Sequence, residues 1–384
     1  MKPAELFACA KQFKEDTVIG RYVHYPDIEN YLQKSDLDYC IAAYSVEKRP
    51  IYELRFGTGK IKILMWSQMH GNESTTTKGL VDFLNFVQSE DILAQEILQK
   101  FQFVVVPMLN PDGAFYYTRF NANQVDLNRD AYCQTQPEMQ YLQQLISSAF
   151  QPDFCFNLHD QRTIFSAGNS ANPATLSLLA PAYNPERELN DTRKKTMQVA
   201  VDIAAALSDI IPNQIGRYDD SFNMNCIGDN LTTKNIPVLL IEAGHFPNDY
   251  QREQTRLLVF VSIVAGLRSI SEKKYDADVV VKYEQIPENQ KLFNDVLVKR
   301  LKIKGEEIQK IGYQYQEKSE KETVVFVLQK DENSGSKGKY GHIELDFDNH
   351  DFASEDELIE EIYSRVKNMN EVYTFVENDK KILK

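Results

Sequence analysis

His70 and Glu73 stand three residues apart in "MWSQMHGNESTTT", between the apolar run of residues 61–66 and a stretch with helical spacing. Imidazole and carboxylate both ligate metals, and the pair can reach one ion if the chain turns between them, a turn that Gly71 eases. Alone, the two residues fit an ordinary structural contact equally well. Two further apolar strand-like runs end in the same kind of side chain: "PDFCFNLHD" carries His159 and "IPVLLIEAG" carries Glu242. His159 would complete a set of two histidines and one carboxylate, the number of protein donors a catalytic zinc takes when it keeps a fourth position for water. Such a site also needs a carboxylate that does not ligate, as base toward the activated water, and Glu242 has that chemistry.

Strand ends meet at one place only if the strands share a sheet, and open α/β sheets bind ligands at the carboxyl ends of their strands. The order of elements fits. "PIYELRFGTGKIKILMWSQ" reads as two strands around a "GTGK" turn, a hairpin signal. "TKGLVDFLNFVQ" and "DILAQEILQKF" have helical spacing, with Leu80, Phe83, Leu84 and Val87 in one stripe. "FQFVVVPML" is a buried strand running into "NPDG", which has turn chemistry. "PEMQYLQQLISSAF", the segment around "RKKTMQVAVDIAAALSDII" and "REQTRLLVFVSIVAGLRSI" read as helices. Residues 1–45 read as a helical or irregular lead-in.

The alternation of strands and helices lasts to about residue 272 and indicates an α/β sheet covered on both faces. A charged stretch, "SEKKYDADVVVKYEQIPENQ", then marks a boundary, dividing the chain into residues 1–274 and 275–384. The second part has strand-like pieces ("DVLVKRLKI", "ETVVFVLQ", "HIELDF"), a polar loop "KDENSGSKGKYG", and a helix whose Ser354 and Glu357 have capping-box spacing. It predicts a small α+β unit.

Composition narrows the function. The 384 residues are 42% apolar, ordinary for a globular chain, and the formal charge of -13 argues against nonspecific binding to nucleic acid or anionic membrane. No run of about 18 apolar residues suggests a membrane span. The N-terminus "MKPAELFACAKQFKED" lacks the long hydrophobic region of a signal peptide. Five scattered cysteines (Cys9, Cys40, Cys133, Cys155, Cys226) form no CxxC pair, so neither a disulfide framework nor a zinc ribbon is expected, and the cytoplasm is the economical location.

His70-Gly71-Asn72-Glu73, "NPDG" (residues 110–113), "DLNRD" (residues 126–130), "NLHD" and "LLIEAG", in that order, resemble the M14 family of zinc carboxypeptidases over roughly residues 60–245. The resemblance implies a mixed central β-sheet flanked by helices. It also implies one zinc per chain on His70, Glu73 and His159, with Glu242 as catalytic base. Asn128 and Arg129 match the pair that grips the terminal carboxylate of a substrate, where a guanidinium can donate two parallel hydrogen bonds. Asp126 matches the carboxylate that orients the first zinc histidine. Arg119 matches the arginine that polarises the scissile carbonyl and stabilises its oxyanion.

The stretch between "NPDG" and "DLNR" is shorter than in digestive carboxypeptidases and closer to a compact bacterial branch that includes murein-peptide amidases. The same superfamily holds aspartoacylase and succinylglutamate desuccinylase. Tyr218 is the nearest counterpart of the mobile tyrosine of the digestive enzymes, and also reads as a plain loop aromatic. Its loop, residues 216–230, would line the specificity pocket, with Asp229 or Ile227 setting preference. His245 suits a packing or helix-start role, and His24, His342 and His350 read as surface residues. Cys155 and Cys226 read as inert thiols. The implied function is zinc-dependent hydrolysis of a peptide or amide bond beside a free carboxylate. The alternatives are an N-acyl amino acid deacylase of the aspartoacylase type and an inactive binding module.

Overall fold

A computed structural model describes residues 3–272, 275–320, 323–331 and 340–369. The chain opens with α1 (Pro3–Gln12), α2 (Tyr25–Lys34), β1 (Tyr39–Tyr44), β2 (Pro50–Phe56) and β3 (Ile61–Ser67). It continues through α3 (Thr75–Val87), α4 (Ile92–Lys100), β4 (Phe101–Val106), α5 (Pro111–Tyr116), α6 (Pro137–Gln144) and β5 (Phe154–Asp160). Next come β6 (Ser166–Ala167), β7 (Leu176–Leu179), α7 (Asp191–Leu207), β8 (Ile215–Arg217), α8 (Ile227–Thr233), β9 (Val238–Ala243), α9 (Glu253–Glu272) and α10 (Val279–Glu284). The last elements are β10 (Asn289–Gln290), β11 (Phe293–Ile303), β12 (Glu306–Glu320), β13 (Thr323–Lys330), β14 (Tyr340–Phe352) and α11 (Glu355–Met369).

Eight strands form one mixed sheet in the order β1-β2-β4-β3-β5-β9-β7-β8. Side chains alternate across it, so each central strand feeds two cores. Ile63 and Met65 of β3, with Phe103 and Val105 of β4, pack under α3, α7 and α9. Leu64 and Trp66, with Val104 and Val106, pack on the other face with Met139 and Leu142 of α6 and Ile227 and Leu231 of α8. Burial on both faces is why these strands read as continuous apolar runs. By length and composition α9 could cross a membrane, yet 72% of its apolar window is buried in the larger core. Its Arg256 pairs there with Asp82 of α3, both side chains fully buried. Removing one partner of such a pair costs about 3–5 kcal/mol, because the other charge is left buried alone.

The expected hairpin around "GTGK" is absent. β4 lies between β2 and β3, antiparallel to the first and parallel to the second. The connection crosses the start of β4, where Gly59 N donates to Phe101 O at 3.0 Å and Thr58 N to Leu98 O at 2.8 Å. A Cβ on Gly59 would stand 1.9 Å from the carbonyl carbon of Lys100, so the glycine serves a close crossing. "NPDG" likewise opens a helix instead of a simple turn: Asn110 Oδ1 accepts from Gly113 N at 2.8 Å and Pro111 occupies the first turn of α5. Within the lead-in, Tyr39–Tyr44 is the edge strand β1.

Between the two units, α10 packs on α7 and puts Val279 and Tyr283 into the larger core, joined there by Ile286 just after the helix. The second unit is a sheet of order β13-β12-β11-β14 with α11 against it, and its core holds Val296, Tyr313, Phe326, Leu345, Leu358 and Ile362. Ser354 Oγ accepts from Glu357 N at the start of α11. Most of the polar loop "KDENSGSKGKYG" (residues 332–339) lies outside the described residues.

Candidate metal centre

β3, β5 and β9 are consecutive and parallel in the sheet, with Ser67 opposite Leu158 and His159 opposite Glu242. The three runs singled out in the sequence therefore end at one edge. Beyond β3 the chain turns once before α3, and Glu73 N donates to His70 O at 3.0 Å. Gly71 is required there by proximity: a Cβ would stand 1.9 Å from the backbone of Gly113. The turn directs both side chains of the pair inward.

His70 Nδ1 lies 2.8 Å from Glu73 Oε1, and His159 Nδ1 lies 2.9 Å from Glu73 Oε2 and 3.1 Å from His70 Nδ1. All three residues are buried. Two ring nitrogens 3.1 Å apart and a carboxylate beside them turn their lone pairs toward one point, the arrangement from which a divalent cation takes a lone pair from each. Among the described residues they are the one group of this kind with ligand atoms within 4.8 Å of one another. Among the described residues the buried His159 Nε2 has no hydrogen-bond partner. By donor type and convergence the set fits zinc.

The surrounding charges favour a cation. Burial works against ionising Glu73, but the two histidines outweigh it and hold the carboxylate well below its usual range. Burial alone would lower His70, and Glu73 and Asp126 reverse that, pushing it up. His159 is lowered by burial despite Glu73. Asp126 Oδ1 lies 3.1 Å from His70 Nε2, and Asp126 Oδ2 accepts from Arg119 Nε at 3.0 Å. A carboxylate on the far ring nitrogen fixes the tautomer and raises ligand basicity. Asp126→Asn is expected to weaken metal binding about 10–100-fold, measured by competition with a chelator of known affinity.

Glu242 is outside the ligand set and lines the same cavity, of about 630 Å³. Burial, with the charges of Glu73 and Asp160, pushes its carboxyl well above the usual range. Arg119, Asn128, Arg129 and Tyr218 line the cavity too. Arg119 Nη1 also donates to Glu73 Oε1 at 3.3 Å. Asn128 Oδ1 accepts from Ile227 N at the start of α8, and Arg129 Nη1 donates to Cys226 Sγ. Tyr218 packs its ring on Phe165. Of the two residues weighed for specificity, Asp229 faces the cavity and burial pushes it up to about 7. Ile227 is buried in the smaller core.

His245 does not line this cavity; it is buried against Tyr250, and its Nε2 meets His342 Nε2 of β14 at 3.3 Å. His342, read as a surface residue, is thus half-buried between the two units. Three cavity residues carried no signal in the sequence. Asp160 accepts from Thr75 N at 2.6 Å and Thr76 N at 3.0 Å, so the strand bearing His159 caps the helix that comes after Glu73. Arg162 and Lys291 bring two further cations.

A family model described as zinc carboxypeptidase, Peptidase_M14, matches residues 32–221. Carboxypeptidase 2 of Trichophyton rubrum is 27% identical over 114 residues, 30% of this chain and 20% of that protein. Cytosolic carboxypeptidase-like protein 5 of Danio rerio is 37% identical over 84 residues, 21% of this chain and 9% of that protein. The aligned stretch thus spans at most about a fifth of the length of these relatives. Among solved structures, a metallo-carboxypeptidase from Burkholderia cenocepacia aligns with a TM-score of 0.54 at 19% identity, covering 66% of this chain and 70% of that one. Thrombin activatable fibrinolysis inhibitor aligns with a TM-score of 0.54 at 16% identity, covering 71% and 81%. At those identities the likeness is one of fold.

Proposed function

The chain carries a zinc carboxypeptidase domain of the M14 family, and from that premise we propose that it hydrolyses the peptide bond next to a free C-terminal carboxylate. The observation that carries the reading is the convergence of His70 Nδ1, His159 Nδ1 and the Glu73 carboxylate in a cavity that Glu242, Arg119, Asn128 and Arg129 also line. His70, Glu73 and His159 would hold one zinc, which when bound lowers the pKa of water and polarises a carbonyl. Glu242 takes the proton of the attacking water and returns it to the leaving amine. Arg119, braced by Asp126, donates to the developing oxyanion. Asn128 and Arg129 bind the free carboxylate and thereby decide which bond is cut. Tyr218 covers the substrate from the loop before α8. The five cysteines, all thiols, support a cytoplasmic location.

The test compares blocked dipeptides with N-acyl amino acids on the zinc-loaded protein. Hydrolysis of the dipeptide is expected, lost on chelation and lost when the C-terminus is amidated. Preference for the N-acyl amino acid would replace the peptidase reading with the deacylase one. Turnover of neither, with zinc bound, would leave a binding module.

A further inference from the structure

The long strand β12 of the second unit touches a wall residue of the catalytic cavity, Arg162, through the side chain of Glu317. Its carboxylate accepts from Arg21, which precedes α2, from the hydroxyl of Tyr117 at the end of α5, and from Arg162 Nη2 at 2.5 Å. The Glu317 side chain is 8% exposed and that of Arg21 is 3% exposed, whereas Arg162 remains 27% exposed and lines the cavity. Burial by itself would raise Glu317, but Arg162 and Arg21 hold it at about 2.

We propose that the second unit completes the substrate face of the site: Glu317 is a positioning residue that fixes Arg162, and Arg162 binds a carbonyl or carboxylate on the part of the substrate that precedes the scissile bond. The inference rests on the peptidase reading above. Arg162 Nη1 donates to the carbonyl of Asn72, which lies between the ligands His70 and Glu73, and Nη2 contacts Tyr117 Oη at 3.5 Å. Its guanidinium plane is therefore fixed from two sides, leaving the exposed part to a ligand. The carboxylate clamp sits elsewhere, since Asn128 and Arg129 lean on Ile227 and Cys226 at the start of α8. A peptide held there by its C-terminus and laid across the metal ligands continues toward Asn72 and Arg162. Without the carboxylate of Glu317, two guanidinium groups would face each other. Arg21 has no solvent to turn to, so Arg162 is the one that moves.

The experiment uses the full-length, zinc-loaded protein and two blocked substrates sharing a C-terminal residue, a dipeptide and a tetrapeptide. In the wild type the tetrapeptide is expected to have the higher kcat/KM. Glu317→Gln should cut that advantage about tenfold, as expected for a charge-assisted hydrogen bond, through KM, with zinc content at the wild-type level. Glu317→Asp should restore part of it. Arg162→Ala should do the same as Glu317→Gln, and the double variant should be no worse than Arg162→Ala alone. An unchanged ratio, or additive losses in the double variant, would overturn the assignment. Should Glu317→Gln not fold, Arg162→Ala decides by the same ratio.

Calorimetric binding of the two peptides to Glu242→Gln protein, with and without Arg162→Ala, separates this inference from the reading beneath it. Tighter binding of the tetrapeptide that disappears with Arg162 upholds the role of Arg162 even if no turnover is found. Normal turnover without that difference overturns it alone.

Discussion

Glu242→Gln is expected to keep its zinc and lose about 10³-fold in kcat, within the range for removing a positioned general base. The residue stands one strand from His159, as its register partner, and is outside the group that can ligate. Glutamine preserves volume and hydrogen bonding on β9, so the sheet edge and the ligand set should survive. Only the ability to accept a proton is lost. The environment of Glu242 supports that role, because burial and the charges of Glu73 and Asp160 raise its proton affinity. A carboxylate with raised affinity takes a proton from water more readily than an exposed one. Elemental analysis and steady-state kinetics on a blocked dipeptide check both halves. Near-normal turnover would remove Glu242 from the mechanism, and loss of zinc would make it part of the metal's support.

The parts of this site that the sequence made legible were those where local pattern and chemistry coincide. His159 and Glu242 end continuous apolar runs, and a polar side chain at such a place has to face a cavity or a partner. The Gly71 turn was legible for a similar reason, although its cause proved to be the approach of Gly113. Strand pairing was less visible. Residues 50–67 have every local feature of a hairpin, and only the insertion of β4 between the two strands, a long-range choice, rules it out. "NPDG" begins a turn or a helix with the same cap and the same proline, so its outcome depends on the packing of the residues beyond Gly113.

β12 was hidden because its outward face is charged. Ile311, Tyr313 and Tyr315 alternate inward, but Glu306, Glu307 and Lys310 dilute the run, and with the strand went Glu317 and the place of Arg162. Asp160 shows the remaining limit. A helix cap supplied by a strand 84–85 residues away leaves no spacing to read.

His159→Ala should abolish stoichiometric zinc, from about one per chain, a metal that two remaining protein donors hold poorly. The loss in affinity should exceed that of Asp126→Asn, which removes support and leaves every ligand in place. Among the three ligands His159 gives the cleanest test. Glu73 also accepts from Arg119 and from the amide of Asp160, so its removal would disturb Arg119 and the start of α3. His70 also binds Asp126, which caps the turn of Leu127–Arg129 that carries Asn128 and Arg129. Among the described residues the His159 ring is in hydrogen-bond reach of the other two ligands alone, through Nδ1, and its Nε2 has no hydrogen-bond partner. Its loss should therefore spare the surrounding framework. Thermal unfolding supplies the independent check, since a ligand that binds only the folded state raises stability by RT ln(1 + [L]/Kd). Zinc should raise the Tm of the wild type and leave that of the variant in place. Full zinc occupancy in His159→Ala, with the same rise in Tm, would move the metal away from this strand end and with it the reading built on His70 and Glu73.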